Sequence, residues 1–518
     1  MANRSNDPLF QLIKALEKSE KRNFKLFVRR NSASNDLKTI VLFDALDKMP
    51  VYDEKVLLAK TKTIKKQQLS NIKAHLYKQI LTSLRIIRDA QNVTLQLNEM
   101  MDFARILYHK GLYVQCLKTL DRMKDLARTH YQLTYLQQVL FFEKKIEALF
   151  NTGSVSDRAD RLTAESNTVH TQLTLVNQLS NLSLELYNWY IRHGHARNEN
   201  DAEAIRLVFE KHLPQSVHNV TGFYDKLYLY QSYSRYAFIR HDFPQYYRHS
   251  LKWVKLFDEY PEMLAAETAA YIKGMHNLMD AYFGLQNHVK LSECIKDFEK
   301  FTQHPLVSQN VNNRILTYAY LYTARINLYF LQGTFEEGVK MVPMLEELLI
   351  RYGSYLDTHR VLVFYYKIAC LYFGNGEYAK AIEYLNRIIQ QKDTLRSDLQ
   401  CYARLLHLIA HYELGHFQLL EHLTKSVYRY MAKMGNLRKV EEEMFAFLRR
   451  SLKVEAEGLK LEFETLLRNL RTYEHDVMEN RAFVYLDVIS WLESKISGIH
   501  VHDVIREKFQ RSRQKIKD

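Results

Sequence analysis

The sequence predicts an all-α protein: a long superhelix of helical hairpins preceded by a small helical bundle. Three observations carry that expectation. Turn-forming residues recur at a nearly constant interval, at Gly111, Gly153, Gly194, His241, Asn287, Gly333, Gly376, Gly415, Gly458 and Gly498, with gaps between 39 and 47 residues. A period of this size belongs to stacked hairpins, none of which can bury its apolar face alone. Only 15 Gly and 7 Pro occur in 518 residues, too few for an all-β chain with a turn every ten residues or so. Apolar residues return at three- and four-residue steps, the spacing of one helix face. A solenoid grows by adding units, so the length demands no second core.

Residues 1–95 precede the repeat frame, since no glycine occurs before Gly111. Asp7 followed by Pro8 reads as a helix N-cap and first helical residue, with Leu9, Leu12, Ile13 and Leu16 as the stripe behind it. Further helices are expected at about 20–30, 37–48, 53–60 and 66–90. In the last, Leu69, Ile72, Leu76, Ile80, Leu84 and Ile87 fall on one face. These helices read as a bundle capping the N-terminal end of the superhelix. Residues 96–498 form the repeats, and 499–518 a basic tail or capping helix.

The clearest repeat unit is Phe364 to Ile389, FYYKIACLYFGNGEYAKAIEYLNRII. A first helix ends at Gly374 and Gly376, and a second begins at Glu377 and Tyr378. Ala369, Gly376, Tyr378 and Ala381 match the small, Gly, Tyr and small positions of the tetratricopeptide repeat (TPR), which this unit resembles. Parts of the pattern recur at Gly111, Tyr113 and Cys116; at Gly333, Phe335 and Gly338; at Gly415 and Phe417; and at Asp242 and Phe243. The period of about 40–47 exceeds the 34 residues of the standard motif, so the units are TPR-like. The resemblance spans roughly 96–498 and implies a right-handed superhelix with a concave binding groove. The phrases SEKRNFKLF and LFDALDK near the start resemble the front end of large bacterial TPR proteins, which implies no activity.

Composition narrows the setting. Cys116, Cys294, Cys370 and Cys401 are widely separated, which suggests neither a disulfide framework nor a zinc site. The first ten residues lack the basic and apolar regions of a secretory signal. The longest apolar stretch, near Val361 to Phe373, is interrupted by Lys367 and too short to span a bilayer. The expected location is the cytoplasm. Thirty-five tyrosines suit half-buried helix seams, because the ring is apolar along its body and polar at its tip.

Charge is uneven. Residues 1–91 hold 19 Lys or Arg against 9 Asp or Glu, a net of +10 out of +14 for the chain. Lys18, Lys21, Arg22, Lys25, Arg29 and Arg30 cluster in one expected helix, and Lys60, Lys62, Lys65, Lys66 and Lys73 follow. Such a patch can grip phosphates of RNA or DNA or an anionic membrane surface, or it is a solvated face. A helix-turn-helix between Asp36 and Arg88, turning at Met49 and Pro50, is a weaker reading of the same stretch. Residues Arg506 to Lys517 form a second basic segment.

In the TPR frame, the inner side of each first helix lines the groove. The spacing from each turn selects Arg105, Tyr108, Asn188, Arg192, Tyr228, Gln231, Arg235, Asn277, Tyr320 and Asn327. Their amides and guanidinium groups can hold an extended peptide by its backbone or acidic side chains, or they bridge adjacent helices. No Gly-Lys-Ser/Thr loop, GxGxxG, HExxH or GxSxG occurs. His407 and His411 share a helix face at metal-binding spacing, but no third ligand is evident, and packing explains them. His193 with His195 and His500 with His502 lack a carboxylate or Cys partner. Glu441, Glu442 and Glu443 stand at a helix start, where acids favour the helix dipole. The expectation is a non-enzymatic scaffold or adaptor, without catalytic residues, cofactor or metal, that binds a protein or peptide in its groove. The alternative is a nucleic-acid or ribonucleoprotein-binding protein acting through the basic front.

Overall fold

The computed structural model describes residues 7–30, 36–61, 63–88, 92–149, 157–353, 355–391, 396–435, 437–474, 479 and 487–515. Among them every regular element is helical, and helices adjacent in sequence pack in pairs. Gly153, Lys62 and the last residues of the basic C-terminal segment lie outside the described residues. The chain divides into two compact units, Met1–His170 and Thr171–Asp518.

The first unit opens with helices Pro8–Ala15, Lys18–Arg30, Asp36–Lys48, Glu54–Lys60 and Lys66–Arg88. Asp7 caps the first, its Oδ1 accepting the amide of Phe10 at 2.9 Å, and Pro8 has no amide to leave unsatisfied. Asp53 caps the fourth by accepting from Lys55 and Val56 at 2.8 and 3.1 Å. Leu69, Leu76 and Ile80 of the expected stripe share one core with Ile13, Phe24 and Phe43, each such burial contributing about 1.5–3 kcal/mol. The second oxygen of Asp7 accepts from Lys73, which joins the start of the first helix to the fifth. Helices Val93–His109, Tyr113–Thr129 and Leu133–Leu149 follow. Gly111 turns the first pair at φ +74°, and Tyr131, outside the regular series, turns the second at φ +54°. Glu143 is buried between them with Lys124 Nζ at 2.7 Å and Arg158 at 3.7 Å. Burial raises its carboxyl above the usual range while Lys124 opposes the shift.

The second unit is a succession of helix pairs. The helix Arg158–His193 is followed by Glu199–His212, then come Phe223–Ile239 with Phe243–Glu259 and Thr268–Gly284 with His288–Phe301. Val311–Gln332 pairs with Phe335–Tyr352, Thr358–Gly374 with Tyr378–Ile389, and Ser397–Glu413 with Phe417–Lys433. Lys439–Ser451 with Ala456–Arg471 and Val488–Ser497 with Val501–Lys515 complete it. Gly194, His241, Gly333, Gly376, Gly415 and Gly498 all take left-handed turn conformations. At Asn287 the left-handed residue is its neighbour Gln286, and Asn287 instead caps the next helix by accepting from Lys290 at 3.1 Å. Gly458 is not a turn at all: it lies inside Ala456–Arg471. A single glycine costs a helix only about 1 kcal/mol and does not break it. The left-handed turn of that region is at Gly435. Glu441 caps its helix from within by accepting the amide of Arg438 at 3.2 Å. Ala369 and Ala381 are fully buried where paired helices meet.

A simple solenoid confines each hairpin to its neighbours, and this unit does more. Arg197 donates to the carbonyl of Met434 at 3.1 Å. Arg396 donates its backbone amide to Ile191 at 3.4 Å and its guanidinium to the Tyr190 hydroxyl at 2.8 Å. Arg396 and Asp398 are 2% and 0% exposed and form a bidentate pair at 2.8 and 2.9 Å. At the other end, Arg506 reaches the carbonyl of Gly333 at 3.4 Å, and Phe509 meets the His288 ring edge-on at 4.6 Å. These contacts join helices of the unit that lie about two hundred residues apart in the chain.

Gly194 tests this junction. It and Gly111 share φ +74°, but a Cβ on Gly111 meets nothing within 4 Å, whereas on Gly194 it falls 2.4 Å from Asp398 Oδ2. Gly111→Ala should cost about 1 kcal/mol, the left-handed penalty alone. Gly194→Ala should cost about 2–4 kcal/mol through added overpacking. Equal losses of stability in denaturant titrations of the two variants would refute the clasp.

Candidate functional site

In the second unit, the first helices of three successive pairs contribute side chains to one shared cluster. Lys273, Tyr320 and Arg360 stand on three successive such helices at intervals of 47 and 40 residues. Asp280, Asn327 and Lys367 stand seven residues further along the same helices, two turns on, at the same intervals. The repeat period therefore places equivalent residues side by side as two rungs.

In the first rung the Tyr320 ring is the hub. His276 stacks on it at 4.1 Å and 7°, Lys273 Nζ lies 5.2 Å and Arg360 Cζ 5.6 Å from its centroid, and its hydroxyl accepts from Arg360 at 2.9 Å. A cation held against an aromatic face gains about 0.5–2 kcal/mol. Arg360 is also paired with Asp357 at 2.5 Å. Arg235, from the preceding inner helix, lies over Tyr187 at 5.0 Å and donates to the carbonyl and hydroxyl of Ser183, the latter at 3.0 Å. In the second rung Lys367 donates to Asn327, which donates to Asp280 at 3.4 Å. Arg396 Nη1 lies 3.4 Å from His359 Nδ1, bringing the clasp to the edge of this face.

The charges do not balance. Arg235, Lys273, Arg360, Lys367 and Arg396 face Asp280, Asp357 and Asp398, and among the described residues Arg235 and Lys273 have no carboxylate in ion-pair contact. Burial, reinforced by the Arg235 and Arg360 guanidiniums, lowers the Lys273 ammonium to about 7. Burial likewise lowers Arg235 to about 10 and Lys367 below its ordinary value, and raises Asp280. His276 and His359 are pushed down by burial with help from nearby cations, His359 to about 3, so both are neutral near pH 7. Lys273 is half-buried as a residue, and its poorly solvated ammonium has Asp280 and Asp357 nearby but neither in ion-pair contact.

Of the groove residues read from the sequence, Arg235, Tyr320 and Asn327 belong to this cluster. Gln231 lies one turn from Arg235 and accepts from Ser183 at 3.3 Å, and Asn277 lies one turn from Lys273, half-buried. Tyr228 is half-buried and stacks on Tyr224 at 6.4 Å, while Asn188 and Arg192 are exposed. Arg105 and Tyr108 belong to the first unit. Arg105 is exposed beside Asp102 at 3.4 Å, and Tyr108 packs on Phe142 and under Lys145 at 5.4 and 4.8 Å. Lys273, His276, Asp280, Arg360, Lys367 and Arg396 were not anticipated. Their signal was the period: one interval from Tyr320 leads to Lys273 and Arg360, and one interval from Asn327 leads to Asp280 and Lys367.

The basic front is partly neutralised. Lys21 and Lys25 each pair at 2.6 Å, with Asp47 and Asp44, and Lys73 pairs with Asp7 while donating to Tyr52 at 3.0 Å. Lys18, Arg22, Arg29, Arg30, Lys65 and Lys66 are exposed. His407 and His411 are each 8% exposed with rings 4.5 Å apart, and His411 meets His416 at 2.8 Å. Among the described residues no group of three or more His, Cys, Asp or Glu is placed to hold a metal ion, and no helix is long and apolar enough to cross a membrane. No protein-family model and no curated protein matches the chain.

Lys273 yields a pH prediction. Its folded pKa near 7 lies below the ordinary value of 10.5, so folding holds a disfavoured charge below pH 7, and that cost fades as pH rises towards 10. Lys273→Met should therefore stabilise the protein at pH 6.5 by roughly 1–3 kcal/mol, read as a higher Tm, and by much less at pH 10. A variant destabilised equally at both pH values would contradict the assignment.

Proposed function

We propose that this chain is a non-enzymatic scaffold, a right-handed TPR-like superhelix whose inner face, on its second unit, binds a protein or peptide partner in the cytoplasm. One observation carries the reading: Arg235 and Lys273, clustered with Tyr187 and Tyr320 on successive first helices, have no carboxylate in ion-pair contact, at a cost to stability. Proteins tolerate such costs where binding needs them. Gln231 and Asn277, one turn from those cations on the same helices, supply amides for a backbone. Widely spaced groups on packed helices are preorganised, so little ordering is left to the moment of binding. The front helices would then add a secondary docking surface.

Nucleic-acid binding through those helices is the second reading, favoured by the exposed Lys18, Arg22, Arg29, Arg30, Lys65 and Lys66. It is weakened by the ion pairs that occupy Lys21, Lys25 and Lys73, because a paired lysine releases fewer counterions on meeting a phosphate.

A pull-down of native partners at low salt, with and without nuclease, separates the two. The scaffold reading expects a defined protein that survives nuclease and whose capture falls at least tenfold in Arg235→Glu with Arg360→Glu. Capture unaffected by that pair, but lost with nuclease or on neutralising Arg22, Arg29 and Arg30, would transfer the function to the front helices.

A further inference from the structure

We infer that the point where Arg235, Lys273 and Arg360 converge binds a phosphate monoester dianion, carried as a phosphorylated side chain on the partner segment. This rests on the reading of the inner face as the binding surface and adds the chemistry of its occupant.

The argument is charge complementarity. With His276 and His359 neutral, the five basic groups and three carboxylates of this face leave up to two positive charges; Arg360 and Arg396 have direct carboxylate partners and Lys367 reaches Asp280 through Asn327, so the excess falls on Arg235 and Lys273. A carboxylate would neutralise one of them. A phosphate monoester carries about −1.5 to −2 at pH 7 and matches both. Donor geometry points the same way: Arg235 spends Nη1 on Ser183 and has no described partner for Nε or Nη2, and Lys273 has no described hydrogen bond. A guanidinium edge and an ammonium can together engage several phosphate oxygens, in charge-assisted bonds stronger than neutral ones. Arg235 and Lys273 are both half-buried, and electrostatic attraction there is screened less than on an open surface.

The occupant is a peptide rather than a free phosphate compound because amides adjoin the two cations, one helical turn away on the same helices. Gln231 and Asn277 continue the faces of Arg235 and Lys273, and Asn277 has no hydrogen-bond partner among the described residues. Such amides suit an extended backbone. The lowered Lys273 pKa supports the site independently: a dianion restores the ammonium, so binding above pH 7 takes up a proton.

The test uses the full chain and two immobilised degenerate peptide libraries, identical except that one carries a central phosphoserine, with inorganic phosphate as competitor. The expected result is retention on the phosphorylated library at least tenfold above its twin, lost in Arg235→Met and in Lys273→Met, with both variants folded by circular dichroism. Isothermal titration of a selected phosphopeptide at pH 8 in two buffers of different ionisation enthalpy should report proton uptake that disappears in Lys273→Met. Equal retention on both libraries, abolished by Gln231→Ala with Asn277→Ala, overturns the phosphate inference and leaves the groove reading standing. Inorganic phosphate binding as tightly as any phosphopeptide overturns the peptide occupant in favour of a small phosphate ligand. Retention on neither library and no phosphate binding removes the groove reading together with the inference.

Discussion

The buried pair of Arg396 with Asp398 decides the form of the second unit. A stack of helix pairs held only by nearest neighbours is an open arc whose inner face is a shallow wall. Arg396 ties the start of the 397–413 helix to Tyr190 and Ile191, and Asp398 packs directly against Gly194. That bond joins helix pairs about two hundred residues apart in the chain. The pair is nearly inaccessible to solvent, so its desolvation is compensated only by good geometry and by filling the remaining donors. The bidentate contact, the Tyr190 hydroxyl and the 4.9 Å placement of the guanidinium over the Tyr190 ring do this. Arg396 also adopts φ +56°, a conformation a side chain of its size occupies only when its surroundings demand it.

Burial changes the electrostatics of this cluster. An exposed lysine on a helix face is worth little and its neighbours matter little. On the inner face the same residue sits among Arg235, Arg360 and Tyr320 with restricted water, and its proton affinity falls towards neutrality. The aromatic rings make this tolerable. Tyr320 holds Lys273 and Arg360 close together without a carboxylate between them, and Tyr187 does the same for Arg235. Thirty-five tyrosines in the chain thus have a use beyond seam packing: some are uncharged counterparts to cations that must stay unpaired.

The sequence made the fold legible because helix formation and turn placement are local. Asp7 with Pro8, the stripe through Leu69, Leu76 and Ile80, and the left-handed turns at Gly111, Gly376 and Gly415 each follow from a few neighbouring residues. Gly458 misled because glycine permits a turn without requiring one. Tyr131 was hidden because a left-handed tyrosine has no sequence signature. The site was only partly legible. The distance to a turn leads to Arg235, Tyr320 and Asn327, but to Asn277 rather than to Lys273 one turn away. Lys367 lies in the best-formed repeat unit and Arg360 just before it, where charged residues read as surface. Arg396 was out of reach, since its partners lie about two hundred residues earlier and no period connects them.

The contrast between the two basic regions is the argument for locating recognition on the inner face. In the front helices, carboxylates already meet Lys21, Lys25 and Lys73, and the remaining cations are exposed, where physiological salt screens their fields over about 8 Å. There the fold spends acids to quiet its bases. On the inner face it does the reverse: Asp357 serves Arg360, Asp280 serves Lys367 through Asn327, and Asp398 serves Arg396, leaving Arg235 and Lys273 alone at the centre. A stack selected only for stability would place a leucine or methionine at each of those two positions, for apolar replacements of buried charges are often neutral or stabilising. Their persistence as cations, each propped on a tyrosine ring, makes sense when the missing negative charge arrives with a ligand.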